Sequence, residues 1–352
     1  ICQSLTLKLS DDKILLSLET VYPYVKSLHL NGKIEGEGLK NLHEIFPALE
    51  SLSFSESSLE EKALFYIDPT LLGRLESLDL SCVSLKDRDL MYLVRIINTN
   101  NLKSLCLMDA EITCESIEFL AKHASFKNLK ELYLSECGIG NSDILSALAN
   151  SFSKLTHLDL SGILFKIEAE HLQSLALNMP YLEFLGLDEI DAEGMQYLGR
   201  VGFFYLEHLS ISGNPEMFQV FVTALHAGKF PALKDLNFDI TRNNDRKNAD
   251  NMHSFGEWLK SPDVCLKFLH FNFGCDLGPR SIQYSTLANA IKGNTTLEQV
   301  ILQGLNKASH EIFKKAQEVR RVTGCPVSLQ MEGRIYNKSL FNRIILVEDS
   351  TL

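Results

Sequence analysis

Proline is scarce, nine in 352 residues, and with 45% hydrophobic content this excludes a disordered or proline-rich chain. No apolar run approaches the roughly 18 residues that a membrane-spanning helix needs, so no membrane span is expected. No signal peptide is visible at Ile1, and without an initiator Met that absence excludes little. Positive charge is short as well. Lys and Arg number 34 against 45 Asp and Glu, a net charge of −11, which argues against nucleic acid as a partner. None of the eight cysteines (Cys2, Cys82, Cys106, Cys114, Cys137, Cys265, Cys275, Cys325) forms C-x-x-C, and no histidine spacing completes a zinc site. Free thiols and a reducing, cytoplasmic setting are expected, with no metal and no cofactor.

What is present is a repeat. Leu129-Lys-Glu-Leu132-Tyr-Leu134-Ser-Glu-Cys137-Gly-Ile139 reads L-x-x-L-x-L-x-x-C-x-I. The frame recurs at Val25/Leu28/Leu30, Leu49/Leu52/Phe54, Leu75/Leu78/Leu80, Leu102/Leu105/Leu107, Leu155/Leu158/Leu160, Leu182/Leu185/Leu187 and Leu206/Leu209/Ile211. It continues at Leu233/Leu236/Phe238, Leu266/Leu269/Phe271 and Leu297/Val300/Leu302. Cys2/Leu5/Leu7 is a worn first copy and Val327/Leu329 a worn last one. From Leu75 to Leu182 the step is 26–27 residues, long enough for a strand and a helix in each copy. Alternate side chains of a strand face opposite ways, so Leu132 and Leu134 point inward with Leu129, while Glu131, Tyr133 and Ser135 face out. One copy cannot bury its own leucines, so copies must stack. Ile139, Leu85, Ile112 and Phe165 start the return in their copies.

These copies resemble the leucine-rich repeat proteins, in the branch typified by ribonuclease inhibitor, over about residues 2–330. The Asn/Cys position conforms at Cys137 and Asn214 but holds Val83, Ala110, Ile163 and Ile190 elsewhere. That looseness is also similar in style to the leucine-rich effectors secreted by intracellular bacteria. The resemblance implies an α/β solenoid curved as a horseshoe, with a parallel sheet on the concave face and helices on the convex face.

The expected organisation is one leucine-rich repeat domain over 1–352. Residues 1–24 form an N-terminal cap or damaged first repeat, 25–332 the repeats, and 333–352 a C-terminal cap or tail. Asp11-Asp12 suits a helix start. Helical spacing recurs at Ile117/Leu120/Ala121, Ile144/Ala147/Leu148 and Leu172/Leu175/Ala176, with Asn141-Ser142-Asp143 starting one helix. A further helix is read around Ile312-Phe313-Ala316-Val319. The step lengthens to 33 between Leu233 and Leu266 and to 31 between Leu266 and Leu297. The excess is read as surface loops at Thr241–Asn251 and Gly274–Arg280, and Trp258 as a core residue.

The outward positions form three lanes. Early copies fill them mainly with serine; later ones present Tyr133, His157, Asp159, Phe184, Asp188, His208, Asp235, Asp239, Phe268 and His270. No Lys or Arg occurs in these lanes between Val25 and Leu302. These ten residues are the candidate partner-binding patch. It suits a protein with a basic or mixed surface, with Phe184 and Phe268 as anchors. His157, Asp159 and Ser161 invite comparison with a hydrolase triad, but no nucleophile elbow accompanies them. His208, Asp235 and His157 could be set against a metal, but an open strand face seldom encloses one.

The expected function is therefore a non-enzymatic, monomeric protein-interaction scaffold. It is cytoplasmic, or placed in a host cell's cytoplasm if the chain is a bacterial effector. The alternative is the recognition module of a larger enzyme or sensor, such as a ubiquitin ligase or nucleotide-dependent receptor.

Overall fold

Each L-x-x-L-x-L core becomes one short strand because its leucines leave water only when a neighbouring copy lies alongside. The computed structural model describes residues 3–9, 12–18, 20–97, 100–123, 126–188, 190–240, 245–272, 284–303 and 328–330. The chain forms two compact units, 1–236 and 237–352.

In the first unit the strands are β1 (Ser4–Leu9), β2 (Ser27–Ile34), β3 (Ser51–Ser53), β4 (Ser58–Leu59), β5 (Ser77–Asp79), β6 (Ser104–Cys106), β7 (Glu131–Tyr133), β8 (His157–Leu160), β9 (Phe184–Leu187) and β10 (His208–Gly213). Apart from β4, which pairs with the end of β2, they lie side by side in chain order. All pairs are parallel. The register stacks Leu5, Leu28, Leu52, Leu78, Leu105, Leu132, Leu158, Leu185 and Leu209 in one column. From Leu28 onward these are at most 2% exposed. Each contributes roughly 1.5–3 kcal/mol by burial.

The return half of each copy carries helices: α3 (Asp87–Ile96), α4 (Cys114–Lys122), α5 (Asp143–Ser151), α6 (Ala169–Asn178), α7 (Ala192–Val201) and α8 (Pro215–His226). The two earlier copies depart from the expected helix-length return. They hold only 3-10 turns with the four-residue helices α1 (Leu42–Ile45) and α2 (Pro69–Leu72). Ile117, Leu120, Ile144, Leu148, Leu172 and Leu175 are buried as the spacing predicts. Ala147 and Ala176 are only half-buried, and Leu145, Ala149 and Met179 fill the core instead. Phe165 is likewise half-buried; Ile167, fully buried and bridged to Ile190, makes the return in that copy.

A 3-10 turn over Asp12–Ser17 starts at Asp12, as the Asp pair suggests, while the Asp12 side chain serves the next copy. It is fully buried, and its carboxylate accepts hydrogen bonds from the backbone N–H groups of Glu35, Gly36 and Gly38 at 3.2, 2.7 and 3.1 Å. Gly38 is required there, since a Cβ would stand 1.9 Å from the Asp12 carbonyl oxygen. Residues 4–9 are thus a sheet strand tied to the next copy.

The strands of this unit leave the sheet by a shared device. Glu56, Cys82, Asp109 and Glu136 hold positive φ of 61°, 54°, 57° and 57°, and Gly162 holds 77°. Each sits two residues past the last leucine-type position of its copy. The backbone N–H groups of the four non-glycine members donate to Ser81, Met108, Ser135 and Ser161 of the next copy. The left-handed turn costs these four about 1–2 kcal/mol apiece, offset in part by that bond to the next copy. At the Asn/Cys position, Cys137 Sγ lies 3.0 Å from the Leu107 carbonyl and Ser57 Oγ donates to that of Leu30 at 2.7 Å. Both reach one copy back to close a carbonyl that the strand pairing leaves open. Val83, Ala110, Ile163 and Ile190 only fill space there.

The division between units falls within β11 (Asp235–Ile240). The second unit holds β12 (Phe268–Asn272), β13 (Gln299–Gln303), β14 (Ser328–Gln330), α9 (Asp245–Leu259) and α10 (Tyr284–Gly293). Leu269, Val300 and Leu329 are in register. The expected loop at Thr241–Asn251 is corrected from Asp245 onward, because the added residues extend α9. Residues 241–244, Gly274–Arg280, the Ile312–Val319 segment and 333–352 lie outside the described residues. Trp258 is core: 8% exposed, with its ring 5.3 Å from that of Phe255. Among the described residues no helix is long and apolar enough to cross a membrane.

Candidate functional site: the open face of the sheet

The side of the sheet away from the helices carries the three lanes. In the first unit, register places Glu131, His157, Phe184 and His208 side by side across β7 to β10. The rings form a run. His157 stacks on Phe184 at 6.0 Å and 7°, Phe184 tilts against His208 at 6.3 Å, and Tyr133 lies 6.3 Å from Phe184. His208 Nδ1 then reaches Asp235 Oδ2 at 3.5 Å.

This run alters what each candidate residue presents. Tyr133, Asp159, Phe184 and Asp235 are buried at 6–8% exposure; His157, His208 and Asp188 are half-buried. Phe184 is therefore a base held between the flanking rings, and the two histidines form the accessible surface above it. In the second unit Asp239, Phe268 and His270 are all half-buried, and His270 is in register with the buried Ile301. Sequence spacing identifies the lanes but not this depth, because parallel strands bring large rings close enough to cover one another.

Burial governs the electrostatics. It lowers the pKa of His157, opposed by the carboxylates of Glu131 and Glu183. It raises the Asp159 carboxyl, opposed by hydrogen bonds from Ser161 N at 3.0 Å and Ser161 Oγ at 2.8 Å. It also raises the Tyr133 phenol. Asp188 accepts from Gly162 N at 2.8 Å and so pins the left-handed turn. Nearby Glu136 is raised by burial and by the charges of Asp188 and Asp109.

The arrangement does not assemble a nucleophile. Ser161 Oγ donates to Asp159, and His157 Nδ1 contacts Thr156 Oγ1 at 2.9 Å, so no base faces the serine. The ring of Phe184 stands between His157 and His208 and keeps them from converging on an ion. A chain that sequence reading did not single out links His29 Nδ1, Ser53 Oγ and Asp79 Oδ2 at 2.9 and 3.0 Å across β2, β3 and β5. Its hydroxyl donates to the carboxylate rather than to the imidazole, which makes it a strand-to-strand tie. Among the described residues one trio of ligand-type side chains, Glu168, Glu170 and His171, lies within 4.8 Å. His171 Nδ1 there accepts the Glu168 N–H at 3.1 Å and caps α6.

No family model and no curated relative matches the chain. Solved structures do. The chain is similar to Rad7 in the yeast Rad7–Elc1 complex, with TM-score 0.54 and 18% identity over 86% of this chain and 77% of that one. It also matches a Listeria monocytogenes internalin, InlF, with TM-score 0.45 and 14% identity over 92% and 84% of the two chains. A third match is TLR13 from its complex with ssRNA13, with TM-score 0.36 and 15% identity over 92% and 45%. With the in-register leucine column, the Rad7 likeness establishes the fold as an α/β leucine-rich repeat solenoid.

Proposed function

We propose that the chain is a non-enzymatic scaffold that binds a protein partner through the open face of its sheet. The observation that carries this reading is the ring run of Tyr133, His157, Phe184 and His208, edged by Asp159, Asp188 and Asp235, in lanes without Lys or Arg. Preorganised aromatic surface gives contact area at little entropic cost, and carboxylates in lanes that hold no Lys or Arg favour a basic or mixed partner surface. Asp239, Phe268 and His270 are proposed on the same grounds within residues 237–352. Rad7, which shares the fold, was solved together with a protein, Elc1, and this supports a protein partner. The finer readings are a monomer in the cytoplasm that leaves nucleic acid unbound, and an effector acting on host proteins.

The test compares partners cross-linked to the wild-type chain with those cross-linked to a His157→Ala/His208→Ala double variant, identified by mass spectrometry. A protein captured by the first and lost from the second, with the cross-links on β7 to β10, supports the reading. Equal capture by both, or cross-links confined to the helices, overturns it.

A further inference from the structure

The residue just before the first leucine of each copy forms a column of its own along one edge of the first unit. In four successive copies that column closes on the copy before it. Arg74 Nη2 donates to the Phe46 carbonyl at 3.3 Å, Asn101 Nδ2 to Gly73 at 2.8 Å, and Asn128 Nδ2 to Asn100 at 3.1 Å. Lys154 Nζ donates to Asn128 Oδ1 at 2.6 Å. In the next two copies the closure stops. The column there holds Tyr181 and Tyr205, each 59% exposed, with ring centroids 6.1 Å apart. Phe204 beside them is 64% exposed, and neither hydroxyl is hydrogen-bonded within the described residues.

Two residues further on lie Glu183 and Glu207, neighbours through the bond from Glu207 N to the Glu183 carbonyl. Several other members of that column are paired: Lys26 with Glu50, Lys103 with Glu76, and Lys234 with Glu207. Glu183 is exposed and forms no ion pair among the described residues. Some rings elsewhere carry one of the chain's own cations, although Tyr24, at the same place in an earlier copy and 61% exposed, carries none among the described residues. Lys40 sits 4.9 Å over Tyr66 and Arg95 5.3 Å over Phe119. Tyr181, Phe204 and Tyr205 have no such cover.

We propose that Tyr181, Phe204, Tyr205 and Glu183 form a second docking surface, whose occupant is an arginine- or lysine-bearing protein segment. The missing chemistry is a cation that stacks on the rings and pairs with Glu183. Exposed aromatics also suit a lipid interface, but Glu183, Glu207 and the net charge of −11 repel an anionic one. The three rings lie outside the open-face lanes, while the Glu183 charge also reaches His157; the tyrosine variant therefore tests this surface apart from the reading above.

The experiment uses the full chain and an acetylated, amidated peptide alternating Arg and Leu. A Glu–Leu peptide of equal length and phosphatidylcholine vesicles with and without phosphatidylserine serve as comparisons. Arg–Leu binding is expected, without binding to the acidic peptide or to either vesicle. A Tyr181→Ser/Tyr205→Ser double variant, which leaves charge unchanged, should weaken it about fivefold or more. Glu183→Gln should weaken it and reduce its salt dependence. Melting temperatures of the variants, expected at the wild-type value, report that the fold is intact. Equal binding by the tyrosine variant and wild type, absence of peptide binding, or preference for vesicles overturns the proposal.

Discussion

Single side chains do connecting work that their residue types do not advertise. Asp12 is a surface residue by composition, yet its carboxylate is fully buried and organises three backbone donors of the next copy. Asp12→Ala is expected to cost about 2–4 kcal/mol, because it strands buried donors. Denaturant unfolding measures this, and Asp12→Asn should lose less. Cys137 is inert for a related reason: burial pushes its thiol up to about 12. Cys82 and Cys265 are exposed and not in disulfides. A thiol reagent should therefore modify Cys82 and Cys265 quickly in the native protein and reach Cys106 and Cys137 only after unfolding, as mass spectrometry of timed samples will show. His157 gives a pH dependence whose sign follows from its burial. Its folded pKa lies below the ordinary 6.5, so the unfolded chain binds the proton first as pH falls. The stability this group supports is present above pH 6.5 and is lost as pH drops through its folded value. Melting at pH 7.5 and 5 should differ less in His157→Gln than in wild type, and an NMR titration should place the imidazole below 6.5.

Elements succeed here where their leucines meet a register partner. Leu132 is fully buried between Leu105 and Leu158. Leu132→Asp places an unpaired charge there and should destabilise residues 1–236 by several kcal/mol, read as a lowered circular-dichroism melting temperature. The strands were legible because period-two alternation and a 26–27-residue step reinforce one another. The return halves were less legible. Ala147 and Ala176 match the helical spacing, but a methyl group is too small to decide which face turns inward. Phe165 gave way to Ile167, the residue whose backbone bridges to Ile190 in the next copy. The extension of α9 through 245–251 was hidden by a polar run that reads as loop. For the candidate site the lanes could be read, while the depth of Phe184 could not, since it depends on rings contributed by three other strands. The exposed edge at Tyr181 and Tyr205 was missed because those residues lie just outside the frame. Comparing that position copy by copy would have found the change from Arg, Asn and Lys to Tyr.

At the scale of the whole molecule, association should separate into two contributions. Removing the Phe184 base lets His157 and His208 move, so Phe184→Ala should raise the dissociation rate of an open-face partner. Replacing Asp159, Asp188 and Asp235 with Asn should instead slow association at low salt. Both are measurable by stopped-flow once a partner is in hand, and unchanged rates in both would return the open face to a solvated surface. The column of left-handed turns has a different consequence. Asp109 and Glu136 share one backbone conformation at one place in the frame, 27 residues apart. Excising 110–136 would join Asp109 to Cys137 at equivalent places in the frame, where the two turn residues share the same φ. The chain can therefore be shortened, or by duplication lengthened, in whole copies. Each such step moves the open face by one row of side chains, about 4.8 Å. The turns thus act as cut points of a molecular ruler, by which gene rearrangement could fit the length of this surface to a partner without redesigning its core.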